Sequence, residues 1–253
     1  MDILKHDDPL YVSFAQSVQT GDVETLSRLL SEVPGLAAKR FVDDQGFVRT
    51  SLHLVADWPG YFPNGVEMVR LLIAAGADPN ARTAGGKFAE TPLHWAASSD
   101  DADVAAALID GGADVEAPGG SIVGGTPLDN AVGYRCWNVA RLLVQRGARV
   151  DKLWHAAALG MMSRVAELMD RDPQPTAADI GLAFWFACSG GQRRVAEYLL
   201  AKGADINGIP SFTNQTPLDA AAGLDTRRET MVAWLKSHGA KSSKEDMKDS
   251  AST

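Results

Sequence analysis

A short phrase that recurs along the chain constrains the fold more than any other feature of the sequence. The phrase is TPLHWAA at residues 91–97, and variants of it stand at 50–56, 126–132, 152–158 and 216–222. A second phrase follows, as in ALIDGGADVE at 107–116. Thr91 to Gly112 and Thr126 to Gly147 each span 21 residues. This fixed internal register predicts a repeat architecture.

Both phrases have the chemistry of helices. Thr91 can cap a helix through its hydroxyl, and Pro92 suits the first helical position because its missing N–H is not needed there. The alanines of the first phrase are small enough to let neighbouring helices pack closely. In the second phrase, Val104 and Leu108 lie at helical spacing. Gly112 suits a helix end that requires positive φ. Each pair of phrases therefore predicts a helix-turn-helix unit.

The two phrases together resemble the ankyrin repeat, a unit of about 33 residues with a T-P-L-H-x-A signature. The resemblance runs from about residue 10 to 240 and implies an all-α solenoid of stacked helix-turn-helix units joined by hairpin-like loops. Seven repeats are predicted, near 10–44, 45–80, 81–116, 117–151, 152–178, 179–207 and 208–240. The first lacks the TPLH phrase, as suits a terminal cap. The polar stretch 241–253 is predicted to be a disordered tail.

Composition narrows the classes of partner. The net charge of −8 argues against nucleic acid, which usually needs a basic surface. The opening MDILKHDDPL lacks an apolar signal core, and no run approaches membrane-spanning length. We therefore expect a cytoplasmic monomer that binds neither membrane nor nucleic acid. Cys136 and Cys188 lie in different repeats without metal-like spacing, and Cys188 occupies an alanine position that predicts burial.

Three histidines are candidates for chemistry, because they recur in the first phrase. His53, His94 and His155 occupy equivalent positions, so they should form a row rather than converge. Packed helices lie roughly 8–10 Å apart, too far for histidines of adjacent repeats to share a metal ion. Asp129 and Asp219 occupy the same position in other repeats. Since a carboxylate can also accept backbone N–H bonds, the pattern favours a side chain that bonds the turn of its own or the neighbouring repeat.

Linear signatures of catalysis are absent from the sequence. TAGGKFAET at 83–91 lacks the spacing of a phosphate-binding loop, and no G-x-S-x-G, H-E-x-x-H or paired-cysteine pattern occurs. We expect no enzyme, cofactor or metal site.

One departure from the repeat pattern points to recognition. Thr50 to Gly76 spans 26 residues, and the extra segment is DWPGYFPNG at 57–65. This insertion holds Trp58, Tyr61 and Phe62 in a loop that the repeat does not need. Aromatic anchors of this kind typically dominate binding energy.

The predicted function is that of a non-catalytic protein-binding module. The resemblance implies a partner on the concave face made by connector tips and first helices. The predicted contacts are Trp58, Tyr61, Phe62, Lys87, Phe88, Trp95, Ser121, Ile122 and Tyr134. For Trp95, packing against the neighbouring repeat is the structural alternative.

Two other hypotheses remain open at this stage. In the first, the insertion closes over an aromatic groove lined by Trp58, Trp95 and Tyr134, which binds a small molecule or supports catalysis. Asp57, Asp129 or His155 would then supply acid or base. In the second, the chain is a scaffold within a larger assembly.

Overall fold

The computed structural model describes residues 3–222 and 229–243. Contacts within the chain divide it into two compact blocks, Met1–Ala148 and Arg149–Thr253. We call them the N-terminal block and the C-terminal block.

The N-terminal block consists of consecutive helix pairs. Its helices are α1 (Pro9–Thr20), α2 (Val23–Glu32), α3 (Ser51–Val55), α4 (Gly65–Ala74), α5 (Pro92–Ser98), α6 (Ala102–Asp110), α7 (Pro127–Gly133) and α8 (Trp137–Gln145). Within this block, α5 packs against its partner α6 and against α7, the first helix of the next pair, while α4 packs against α6 and α6 against α8. First helices thus stack on first helices and second on second, as the repeat pattern predicts.

Sequence chemistry sets the ends of these helices. Thr50, Thr91 and Thr126 are the N-caps of α3, α5 and α7, each in extended conformation and each in a capping box. Gly112, beyond the end of α6, has φ +97°, and Gly76 and Gly147 each have φ +96°. These backbone conformations suit glycine, which lacks a Cβ. The predicted helix starts and glycine stops are confirmed.

A small sheet is an addition that the sequence pattern does not predict. Its strands are β1 (Ile3–Lys5), β2 (Arg40–Val42) and β3 (Val48–Thr50), in the order β1-β2-β3. β1 pairs with β2 in parallel, and β2 pairs with β3 antiparallel. Val48 also exchanges both backbone hydrogen bonds with Ala84 in the connector ahead of α5. The sheet therefore ties the first repeat to the connector of the third.

The C-terminal block continues the helix pairs. Its described helices are α9 (Leu153–Ala158), α10 (Met162–Met169), α11 (Ala177–Ser189), α12 (Arg193–Ala201), α13 (Pro217–Ala221) and α14 (Glu229–Ser237). α11 packs against α9 and α13, so stacking of first helices holds here too. α11 is long because Thr176 caps it ahead of the predicted repeat start at 179, donating to and accepting from Asp179. The number of repeats stays a prediction.

The core agrees with the apolar pattern. Leu93, Leu108, Leu199 and Cys188 are fully buried, and both cysteines are free thiols. Of the predicted tail at 241–253, residues 244–253 lie outside the described residues. Ser242 and Ser243, which are described, both donate hydrogen bonds to the carboxylate of Asp219.

Candidate functional site

The recurring histidines of the N-terminal block hold turns and connectors together. His94 is fully buried, and its Nδ1 accepts from the Thr91 N–H at 3.2 Å and lies 2.9 Å from the Thr91 hydroxyl. Its Nε2 lies 3.2 Å from the carbonyl oxygen of Gly125 in the next connector. An Nδ1 that accepts and an Nε2 that donates describe one neutral tautomer. Burial lowers the pKa of His94 below its usual value, which favours this neutral form.

His53 repeats the arrangement one repeat earlier. Its Nδ1 accepts from the Thr50 N–H at 3.2 Å, and its Nε2 lies 3.1 Å from the carbonyl oxygen of Glu90. Burial lowers the pKa of His53 to about 3. In the repeat after that of His94, the Asp129 carboxylate accepts the equivalent two bonds, from the Thr126 N–H and hydroxyl. The predicted turn-bonding role is confirmed for His53 and His94.

The inserted loop after α3 is fastened to the repeats on both sides of it. Asn64 donates to the carbonyl of Gly21, which follows α1. Tyr61 donates its N–H to the carboxylate of Asp101 at 2.6 Å and its hydroxyl to the carbonyl of Asp100 at 2.5 Å. The loop is thus held in place by the first and third repeats. A loop already ordered in this way loses less conformational entropy when a partner binds.

Trp58 is the side chain that this loop leaves in solvent. It is 80% exposed, the highest value among the large hydrophobic residues that the structure describes. The backbone N–H of Trp58 donates to the Asp57 carboxylate at 2.9 Å, and this hydrogen bond fixes the backbone at Trp58. An indole this exposed contributes little to the core.

Trp58 borders an open groove that lies within the N-terminal block. The groove measures about 230 Å³. Its lining residues are Asp57, Trp58, Glu90, Trp95, Ser98, Ser99, Ser121 and Tyr134. The structure therefore brings together four of the predicted contacts, namely Trp58, Trp95, Ser121 and Tyr134. It also forms the aromatic groove considered under the small-molecule hypothesis.

Trp95 is held in the groove by its neighbours. It lies on α5, half-buried, with its ring plane 4° from that of Phe47 at a centroid distance of 6.2 Å. The ring of His53 meets it edge-on at 5.0 Å. Trp95 therefore packs against the preceding repeat, which was the structural alternative for this residue. It also lines the groove. The two roles are compatible because packing fixes the ring that the groove exposes.

A polar network forms one wall of the groove. Oε1 of Glu90 accepts from the Ser121 N–H and from Asn130 Nδ2, both at 2.8 Å. Asn130 is fully buried, and its Nδ2 also donates to the Ser98 hydroxyl at 3.2 Å. The Ser121 and Tyr134 hydroxyls lie 3.2 Å apart. The network fixes the Glu90 carboxylate through uncharged donors.

A second carboxylate in the groove belongs to Asp57. Arg49 lies 3.3 Å from its Oδ2 and also reaches the Tyr11 hydroxyl at 3.4 Å. Burial raises the pKa of Asp57, and Arg49 opposes that rise. The groove therefore combines aromatic rings with two carboxylates, Asp57 and Glu90.

The other predicted contact residues lie outside this groove. Tyr61 and Phe62 line a separate groove beside Asp101 and Val104. In the connector that precedes α5, the ammonium of Lys87 lies 5.1 Å from the centroid of the Phe88 ring. The side chain of Ile122 lies against Gly133, where an added Cβ would come within 2.8 Å of it.

The sequence analysis did not name three of the lining residues, Glu90, Ser98 and Ser99, although the repeat register marks Ser98 and Ser99. Trp58, Ser99 and Tyr134 each stand eight positions after a capping threonine, at 50, 91 and 126. Asp57 and Ser98 each stand seven positions after one. The end of each first helix thus faces one groove across three successive repeats. Glu90 has no such signal, because its role depends on Asn130 in the next repeat.

Of the three acid and base candidates of the enzyme hypothesis, Asp57 lines the groove, and Asp129 belongs to the capping box of α7. His155, in the C-terminal block, is buried and meets the Trp154 ring at 4.1 Å. Across residues 3–222 and 229–243, no three His, Cys, Asp or Glu side chains are grouped to hold a metal ion.

Comparison with protein families identifies the repeats. Residues 52–152 match the family model for ankyrin repeats in three copies. This segment of the chain is therefore built of ankyrin repeats. Among solved structures, the chain is similar to the human ASB11 ankyrin repeat domain, at 18% identity and a TM-score of 0.50, over 87% of this chain and 96% of that one. Comparison with curated proteins gives no match.

The ankyrin repeats indicate a general kind of function. Ankyrin repeats are generally protein–protein interaction modules, and the family is typically non-catalytic. Within the part of this protein that the structure describes, no helix has the length and apolarity needed to span a membrane.

Proposed function

We propose that this ankyrin repeat protein binds a protein partner through the groove between Trp58, Trp95 and Tyr134. The observation that carries the proposal is the exposure of Trp58, at 80%, on a loop that hydrogen bonds anchor to two other repeats. A rigid exposed aromatic is the kind of residue that dominates interface energies. Its fixed backbone limits the entropy lost on binding.

The shape of the groove favours a macromolecular partner over a small molecule. Typical small-molecule sites are enclosed clefts of about 300–1,000 Å³. This groove is open and measures about 230 Å³. An open groove with a protruding indole suits a chain that lies across it. Tyr61, Phe62, Lys87, Phe88 and Ile122 remain predicted contacts around the groove.

A capture experiment with matched variants tests the proposal. Tagged wild-type protein, Trp58→Ala and Phe212→Ala are used to capture proteins from the source lysate. Phe212 is a suitable control because it is also an exposed aromatic, at 57%, and it belongs to the C-terminal block. We expect one or more proteins to be retained by wild type and Phe212→Ala and lost by Trp58→Ala. Equal capture by all three would contradict a role for this groove.

A further inference from the structure

The charge within the groove indicates what the partner presents to it. None of the described residues that line it is Lys or Arg, whereas Asp57 and Glu90 are carboxylates. Asp57 has a counter-ion in Arg49. The Glu90 carboxylate accepts hydrogen bonds from uncharged donors, Ser121 and Asn130, and forms no ion pair with a described residue. A half-buried carboxylate of this kind favours a cation brought by another molecule.

The aromatic rings around Glu90 point independently to the same chemistry. Trp58, Trp95 and Tyr134 line the groove together with it. The face of an aromatic ring attracts cations, indole most strongly, and arginine is the side chain that most often takes this position. Phe47 and His53 fix the orientation of Trp95, so its ring is arranged before a ligand arrives.

We propose that the groove accepts an arginine side chain of the partner protein. The planar guanidinium can stack on an indole while its N–H groups donate to a carboxylate, and an ammonium offers no such flat fork. The Glu90 oxygen Oε2 is the acceptor, because Oε1 already accepts from Ser121 and Asn130. The net charge of −8 steers a basic segment toward the protein. The proposal rests on the proposed function, since it names the chemistry of the same groove.

Peptide display provides the first arm of the test. Random linear peptides are selected on the wild-type protein and then depleted on Trp58→Ala, so that peptides dependent on the groove remain. We expect these peptides to share an arginine. Replacing that arginine by citrulline, its neutral isostere, should weaken binding about tenfold or more. Replacement by lysine should also weaken binding, and equal binding of the lysine peptide would overturn the assignment to a guanidinium.

A charge variant of the protein provides the second arm. Glu90→Gln retains an oxygen that can accept from Ser121 and removes the charge. It should weaken the arginine peptide about tenfold and leave the citrulline peptide nearly unchanged. Glu67→Gln, the same change on the exposed face of α4, is the matched control and should bind like wild type. Thermal melting of both variants establishes that they are folded. An equal effect of Glu90→Gln on both peptides would overturn the proposed contact.

The two proposals fail in different ways. Groove-dependent peptides without a basic residue would overturn the arginine proposal and support a protein-binding groove. If selection yields no groove-dependent peptide, the arginine proposal falls, and the capture experiment with Trp58→Ala decides whether the groove binds a protein.

Discussion

The two blocks of the molecule use aromatic residues in opposite ways. In the C-terminal block the rings contact one another. The aromatic cluster, defined as Trp154, Trp185, Phe186 and Phe212, has neighbouring centroids 4.9–5.9 Å apart. The indole N–H of Trp185 donates to the carbonyl of Gln215, and the ammonium of Lys152 lies 5.9 Å from the Trp154 ring. In the groove of the N-terminal block, by contrast, Trp58 extends into solvent beside carboxylates.

The difference shows that the number of aromatic residues does not identify a binding surface. In the aromatic cluster, neighbouring rings, a backbone carbonyl and the chain's own lysine satisfy the side chains. In the groove, Trp58 is 80% exposed, whereas Phe212, which is 57% exposed at the edge of the cluster, contacts the rings of Trp185 and Phe186. Large exposed aromatics that keep their surface are the ones that a partner can cover. The comparison separates a cluster of mutually packed rings from the groove that we propose as the binding site.

The largest predicted effect concerns the centre of the aromatic cluster. Trp185 is 1% exposed, so Trp185→Ala leaves a large cavity and removes the bond to Gln215. We expect the free energy of unfolding to fall by about 3–5 kcal/mol, measured by denaturant titration. Phe212→Ala, at the exposed edge of the same cluster, should cost less. A small loss at Trp185 would break the comparison, because the aromatic cluster would then not be core.

The next effect concerns the histidine that supports the groove. His53→Ala removes the acceptor for the Thr50 N–H and the donor for the Glu90 carbonyl. Because these groups lie in or near the core, we expect a loss of about 2–4 kcal/mol in unfolding free energy. His53→Asp keeps an acceptor for Thr50, as Asp129 does for Thr126, and should cost less. If the two variants were equally destabilised, cavity formation rather than hydrogen bonding would explain the role of His53.

The sequence predicts the repeat fold well because the signals for it are local. A threonine that caps a helix and a glycine that ends a helix each act within a few residues. The helix boundaries of a repeat can therefore be predicted from that repeat alone. The small sheet was not predicted, since β1 pairs with β2 across more than thirty residues, from Ile3 to Arg40. Three-residue strands carry little alternation from which a pairing could be recognised.

The candidate site was predicted in part, for a related reason. Trp58, Trp95 and Tyr134 were found because aromatic residues stand out against the repeat pattern. Glu90 was missed because its position in the groove depends on hydrogen bonds from Ser121 and Asn130, 31 and 40 residues further along the chain. Tyr61 was grouped with Trp58 by sequence proximity, yet the loop turns it toward Asp101 and a separate groove.

A more gradual change in the free energy of unfolding is expected as the pH falls. Burial lowers the pKa of His53 to about 3, and Arg40 and Arg49 add to the shift. The hydrogen bond that His53 donates to the Glu90 carbonyl opposes the shift. The unfolded chain therefore binds a proton at pH values where the folded chain does not. This contribution to stability is complete above about pH 6.5 and is lost as the pH falls toward about 3, at up to about 1.4 kcal/mol per pH unit.

Denaturant titrations between about pH 6.5 and 5, a window above the ordinary pKa of carboxylates, measure this slope. His53→Gln cannot take up the proton, so its unfolding free energy should fall less steeply than that of wild type. His94 keeps its own contribution in the variant, because burial lowers the pKa of His94 as well. Identical slopes for the two proteins would mean that His53 does not resist protonation in the folded state.

The smallest effect on stability is expected at the most exposed aromatic, and it sharpens the comparison most. Trp58→Ala should change the free energy of unfolding by less than about 1 kcal/mol, because the side chain is 80% exposed. The backbone bonds of Tyr61 and Asn64 continue to hold the loop without it. Binding of a groove-dependent peptide should nevertheless be largely lost. Trp58→Ala would then reduce binding without reducing stability, whereas Trp185→Ala should reduce stability. A Trp58→Ala variant destabilised as strongly as Trp185→Ala would place the inserted loop among the structural elements and remove the distinction between the groove and the aromatic cluster.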